Sequence, residues 1–345
     1  FALCLVNFHH IRGPEVEYWK SNYIKNYHPD LFRNMAFQAL PDGLHLFEET
    51  FSNFALVYDF DENESLDDGD DYNRYLSQVR NLRALKTLFG CLCIRQISLE
   101  RLSAQDRADG HVTRLIVQKA VVVVLREPLF AYIKEKLSIV TGSYFEQADF
   151  GNYEILDSLH ELLNHTYANQ YSASESRGSD LGSPRKKAEL ELRALNNDGS
   201  FVLLDLRDLL LQFGTRIFTL YKSLLLEKKV LVYSNSNLEG LTNFQNSLIS
   251  LIPGLMSNLE LLGCPLLDYT EQYGPLQRPN LLDTKSKKLL LRFFGLPLQI
   301  LNTKGSFYNP YLPLQQLSEL LLDTTKSCLA GCLNKLFVDQ ATSLK

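Results

Sequence analysis

The sequence predicts an α/β protein built as two units. Three observations predict it. Short apolar, β-branched runs alternate with stretches at helical spacing, and that alternation is broken once near the middle by a polar, serine-rich segment. The length of 345 residues suits two globular domains at roughly 100 to 200 residues each.

Residues 1–167 form the first unit. Residues 1–8 read as a buried strand, Gly13-Pro14 as a turn, and residues 15–20 alternate as a returning strand does. Residues 54–58, 88–97 and 119–125 continue the series; the run Val121 to Val124 is apolar on both faces, which predicts a central strand. Between the third and fourth strands, residues 59–71 carry eight carboxylates, a self-repelling block predicted to be a loop outside the core. After Pro128, the spacing of Leu129, Ile133, Leu137 and Val140 predicts a helix, and Ile155, Leu159, Leu162 and Leu163 predict a second.

Residues 168–200, containing SASESRGSDLGSPRKKAE, are predicted to be a flexible linker. Residues 201–345 form the second unit. Leu206, Leu209, Leu210, Phe213, Ile217, Leu220, Tyr221 and Leu224 make a long helical stripe, and residues 228–234 follow as a strand. Asn235, Asn237 and Gly240 supply a turn, and the apolar face from Leu241 to Leu255 predicts a helix that Pro253 ends or kinks. Helix, strand, turn and helix in that order predict a parallel sheet.

Composition excludes several functions. A net charge of −5 gives no basic face for nucleic acid, which proteins bind by releasing counterions with clustered cations. The apolar runs fall short of the ~18 residues a membrane span requires, so membrane contact is expected to be peripheral. Six cysteines are too sparse for a disulfide framework and fit a reducing compartment. Phe1 opens on an apolar run without a basic leader, so no signal peptide is expected and the start is read as missing.

Motifs for covalent chemistry are also missing. Neither G-x-x-x-x-G-K-[ST] nor G-x-G-x-x-G occurs, nor the G-x-S-x-G nucleophile elbow. His160 and His165 are five apart, whereas zinc-binding histidines on one helical face are four apart. Cys91 and Cys93 lie on one face of a predicted strand, and Cys328 and Cys332 would share a helical face; core packing is the expected role of both pairs. His9 and His10 are read as turn or interface residues. No catalytic residue, metal or cofactor is expected.

Several segments resemble the DENN module, in its late-secretory-pathway (Avl-nine type) branch. FHHIRGPEVEYW, ALPDGLH (39–45), LFGCLCIRQIS (88–98), VTRLIVQKAVVVVL (112–125) and SIVTGSYFEQADF (138–150) are similar to its N-terminal longin-like half. The stretch from residue 216 to 255 is similar to the central DENN segment, and NPYLPLQQLSELL (309–321) and SCLAGCLNKLF (327–337) to its later part. The resemblance implies a bilobal module, with a longin-like lobe (1–167), a linker (168–200) and a DENN lobe (201–345) whose C-terminal helical part is truncated. It implies a cleft that binds a Rab-family GTPase in exocytic, Golgi-to-plasma-membrane transport, as a guanine-nucleotide exchange factor. The alternative is a non-catalytic Rab effector, adaptor or tether for exocytic machinery. The implied location is cytoplasmic, peripheral on Golgi-derived or late secretory membranes, held there through partners.

Exchange breaks no covalent bond. It requires tighter binding of the nucleotide-poor form of the GTPase, and a thousandfold acceleration corresponds to about 4 kcal/mol of such preference. Loops leaving a parallel sheet are common contact sites. The expected GTPase-binding residues are therefore Ser234, Asn235, Ser236 and Asn237, with Asn243 and Gln245 on the following helix. Tyr308, Asn309 and Tyr311 are added from an aromatic loop flanked by Gly305, Pro310 and Pro313. Ser183, before Pro184-Arg185-Lys186, is a candidate phosphorylation site.

Overall fold

The computed structural model of the 345-residue chain describes residues 2–9, 11–22, 26–27, 32, 34–41, 47–59, 85–98, 116–125, 128, 130–147, 149–175, 206–252, 255–256, 259, 300–301 and 305–343. The first lobe is a five-stranded sheet made of β1 (Ala2–His9), β2 (Gly13–Ser21), β3 (Glu49–Asp59), β4 (Leu85–Ser98) and β5 (Ile116–Leu125). Every pairing in it is antiparallel, and the order is β2-β1-β5-β4-β3. The valine run lies in β5, between β1 and β4, where both faces of a strand are covered. That is why it has no polar alternation.

Each face of this sheet has its own apolar layer. On one, Leu3, Leu5, Cys91, Cys93, Val121 and Val123 meet α2 (Phe130–Glu146) and α3 (Glu154–Glu175) through Ile133, Leu137, Leu156 and Leu159. On the other, Cys4, Val6, Phe54, Leu92, Val122 and Val124 meet the short α1 (Met35–Ala39). His9 serves the hairpin turn, its Nδ1 accepting the Ile11 and Arg12 backbone N–H groups at 3.2 Å each. The compositional shift at Ala168 is not a backbone break: α3 continues to Glu175. Ser183 and acidic-block residues 60–71 lie outside the described residues.

The second lobe begins with α4 (Leu206–Phe213), a short 3-10 turn (Gly214–Arg216) and α5 (Ile217–Leu225). The apolar stripe over this region is therefore not one helix. Gly214 adopts a φ of +49°, in the left-handed region that breaks helical continuity. Only part of the stripe is core: Leu209, Ile217 and Leu224 are buried, while Leu206 and Leu210 are exposed. Then come β6 (Lys229–Tyr233), α6 (Leu238–Ser250), β7 (Ser306–Asn309), α7 (Leu317–Leu321), β8 (Ser327–Cys332) and α8 (Lys335–Ser343). The three strands form the expected parallel sheet, in the order β6-β8-β7. Helix α6 ends at Ser250, before Pro253.

One element differs from expectation. Residues 327–332, read as helical from the four-residue spacing of Cys328 and Cys332, are the middle strand of this sheet and buried throughout. A spacing of four also fits a strand, where every second residue shares a face. The two cysteine pairs sit in different apolar layers, Cys91 and Cys93 against α2 and Cys328 and Cys332 against Phe337 and Leu320. Burial pushes the thiols of Cys91, Cys93, Cys328 and Cys332 up to about 12. Such thiols are packing groups, not nucleophiles.

Candidate partner site at the lobe seam

The lobes meet along β3, an edge strand of the first sheet. Edge strands carry unpaired N–H and C=O groups that attract foreign strands unless they are covered. Here α6 and β7 cover the edge. The Asn309 side chain does what a neighbouring peptide would: its Oδ1 accepts the Ala55 N–H at 3.2 Å, and its Nδ2 donates to the Ala55 C=O at 3.3 Å. A side-chain amide has the donor and acceptor of a peptide group, so one asparagine closes one unit of the ladder. Beside it, Lys134 of α2 binds Glu239 of α6 at 2.5 Å, and the same ammonium lies 4.8 Å from the centre of the Phe51 ring.

Behind the seam, α6 presents polar side chains on a buried face. Gln245 is 0% exposed, and its Nε2 donates to the carbonyls of Pro310 at 2.7 Å and Leu241 at 3.2 Å. Its Oε1 has no hydrogen-bond partner among the described residues. Asn246 Oδ1 accepts the Tyr308 hydroxyl at 2.6 Å. Burial raises the Tyr308 phenol well above its ordinary value, so this hydroxyl stays protonated and donates. Gly331 is required beside them: a Cβ there would come within 2.0 Å of the Pro310 oxygen and 2.2 Å of Gln245 Nε2.

In front, β6 leads into the turn. The Ser234 N–H donates to the Cys332 carbonyl at 3.1 Å, carrying the parallel pairing one residue past the strand. Ser236 then takes a φ of +70°, a left-handed conformation uncommon outside glycine. Asn237 caps α6, its Oδ1 accepting the Gly240 N–H at 2.8 Å. Asn235 and Asn237 are exposed, and Ser234, Ser236 and Asn243 are half-buried. Among the described residues the Asn235 amide has only a long 3.5 Å contact, from the Ser236 hydroxyl. Asn243 bonds no described residue through its side chain.

The nine expected contact residues thus divide. Ser234, Asn235, Ser236, Asn237 and Asn243 form a surface. Gln245, Tyr308, Asn309 and Tyr311 do not: all are buried, and Tyr311 packs with Leu238 and Leu241 in the layer that includes Phe54. The expectation of direct contact is corrected for these four, since interior side chains present nothing to a partner. They hold the surface in place from behind. Lys134, Glu239 and Asn246 were missed by sequence reasoning. The legible signal was Thr242, Gln245 and Asn246, which recur at helical spacing and share a face of α6.

Among the described residues no three His, Cys, Asp or Glu side chains cluster as metal ligands would. None of the described helices is long and apolar enough to cross a membrane.

Comparison with known proteins supplies the family. The model of the family described as "Transport protein Avl9" matches residues 1–345. The chain is 39% identical over 347 residues to the late secretory pathway protein AVL9 of Saccharomyces cerevisiae, covering 100% of this chain and 41% of that protein. It is 34% identical over 339 residues to the late secretory pathway protein avl9 of Schizosaccharomyces pombe, covering 98% of this chain and 60% of that protein. The chain therefore spans about two-fifths to three-fifths of the length of these relatives. With a family match along its whole length and two such relatives, this chain belongs to the Avl9 family.

Proposed function

We propose that the chain serves late secretory transport by holding a Rab-family GTPase against the turn and helix face formed by Ser234, Asn235, Ser236, Asn237 and Asn243, and that it accelerates nucleotide release. Family membership supports the secretory role, because both relatives bear late-secretory names. The collinear resemblance to the DENN module supports the GTPase.

One observation carries the choice of surface. Among the described residues the Asn243 amide has no partner and the Asn235 amide has only the long Ser236 contact, on a turn and a helix locked from behind by the Gln245–Pro310 and Asn246–Tyr308 hydrogen bonds. An exchange factor needs a firm surface of this kind, since its only instrument is tighter binding of one conformation of its partner than another. Amides carried on a fixed backbone give up only side-chain freedom on binding, and each can add about 1 kcal/mol net.

The test is nucleotide release from a panel of Rab GTPases, with binding to their nucleotide-free and GTP-loaded forms measured in parallel. Acceleration by the native chain, lost in an Asn235→Ala/Asn243→Ala variant with unchanged melting temperature, is expected. Preference for the GTP form without acceleration assigns the chain to the effector or tether class instead. Residence on Golgi-derived membranes belongs to the same proposal, and the location of the chain before and after depletion of the bound Rab tests it.

A further inference from the structure

The outer side of α4 and α5 carries side chains that a water-facing helix does not normally show. Leu211 and Phe218 are each 71% exposed, and Leu226, the residue that closes α5, is 57% exposed. Their positions follow helical geometry. In α5 the inward residues are Ile217 and Leu224, with Leu220, Tyr221 and Leu225 packed against the core. Phe218, Lys222 and Leu226 recur at i, i+4 and i+8 on the opposite side. In α4, where Leu209 is buried, Arg207 and Leu211 are likewise i and i+4 on the outward side.

Cations are interleaved with these apolar groups. Residues 206–228 carry Arg207, Arg216, Lys222 and Lys228 against Asp208 and Glu227, an excess of two positive charges on a chain whose formal net charge is −5. All six are exposed. Arg207, Arg216, Lys222 and Lys228 form no ion pair with a described residue.

We propose that this outer face of α4 and α5 is a membrane-contact surface that seats on an anionic lipid bilayer. The inference goes beyond the GTPase site and does not depend on it. Apolar side chains that project from the outward faces of two short helices, with cations one turn away, suit the boundary between headgroups and acyl chains: Phe and Leu enter it while Arg and Lys stay at the phosphate level. The sign of the charge selects the anionic leaflet, where each Lys or Arg strengthens binding by about fivefold.

The experiment is co-sedimentation of the 345-residue chain with phosphatidylcholine vesicles made with and without phosphatidylserine. Binding to the phosphatidylserine vesicles, little binding to phosphatidylcholine alone, and loss of binding as salt is added are expected. Leu211→Ser and Phe218→Ser together should weaken vesicle binding at least tenfold. Arg216→Glu with Lys222→Glu should weaken it further. Melting temperatures should not fall, because all four side chains are exposed. Equal binding to neutral vesicles, no binding to either, or undiminished binding by the variants overturns the proposal. So does a dimer mass in light scattering that Phe218→Ser abolishes in a chain that ignores vesicles, which would give the face to a second copy. The Asn235→Ala/Asn243→Ala variant should still bind vesicles, so failure of the GTPase reading and failure of this one are told apart.

Discussion

Asn235, in the turn after β6, and Asn309, the last residue of β7, are the same residue type in the same lobe, and their situations are opposite. Asn309 is 4% exposed and spends both ends of its amide on Ala55, across the seam. Asn235 is exposed and, among the described residues, bound by one long contact. A polar residue at the end of a strand is therefore read by what it faces: beside an open sheet edge it becomes structure, and beside solvent it stays available.

Four changes should separate the seam from the turn, in falling order of effect on stability. Gly331→Val forces a side chain against the Pro310 carbonyl, a backbone atom that cannot step aside. A loss of roughly 3 kcal/mol is expected in chemical denaturation, the upper range for overpacking. Asn309→Ala leaves the outward N–H and C=O of Ala55 without this partner inside the protein. About 2 kcal/mol should be lost, and hydrogen exchange should quicken at Ala55; an unchanged exchange rate would show that the edge is covered by packing alone. Asn237→Ala removes the cap on α6 and should cost about 1 kcal/mol by thermal melting. Asn235→Ala should change stability by less than about 0.5 kcal/mol while weakening Rab binding about fivefold, as one lost hydrogen bond implies. Equal stability losses for Asn309→Ala and Asn235→Ala would erase the distinction.

Acid offers a control that touches neither site. Burial lowers the pKa of His160, and the nearby Lys20 charge lowers it further. Burial alone would raise the Asp157 carboxyl, but hydrogen bonds from Lys20 at 2.6 Å and Tyr18 at 2.5 Å outweigh it and hold the group low. Both folded values lie below the unfolded ones, so the stabilisation is complete above roughly 6.5 for the imidazole and roughly 3.9 for the carboxyl. It is lost as pH falls through the folded values. Melting temperature should therefore drop on acidification, first through His160 and then through Asp157. The gap between Asn309→Ala and the native chain should stay the same, since these groups lie on β2 and α3.

The first sheet was legible because its residues state their environment. The run Val121 to Val124 has no polar position, which only a strand covered on both faces tolerates. The second sheet was half legible. β6 was found from Val230, Leu231 and Val232, but Ser327, Ala330 and Gly331 have no branched side chains to mark a strand, and a four-residue spacing fits either period. The turn at the end of β6 was legible from its asparagines. The seam was not, because Asn309 finds its partner 254 positions away in the chain, and nothing local distinguishes it from a surface loop residue.

The middle strand of the second sheet is also the last of its strands to be synthesised. β6 and β7 each pair with β8 and not with each other, so neither gains a ladder partner within this sheet until residues 327–332 leave the ribosome. The groups that shield β3, Asn309 among them, settle no sooner than their own sheet closes. A nascent chain halted before residue 327 would then carry a finished first sheet with one bare flank, the form most at risk of pairing with a neighbouring copy on the same polysome.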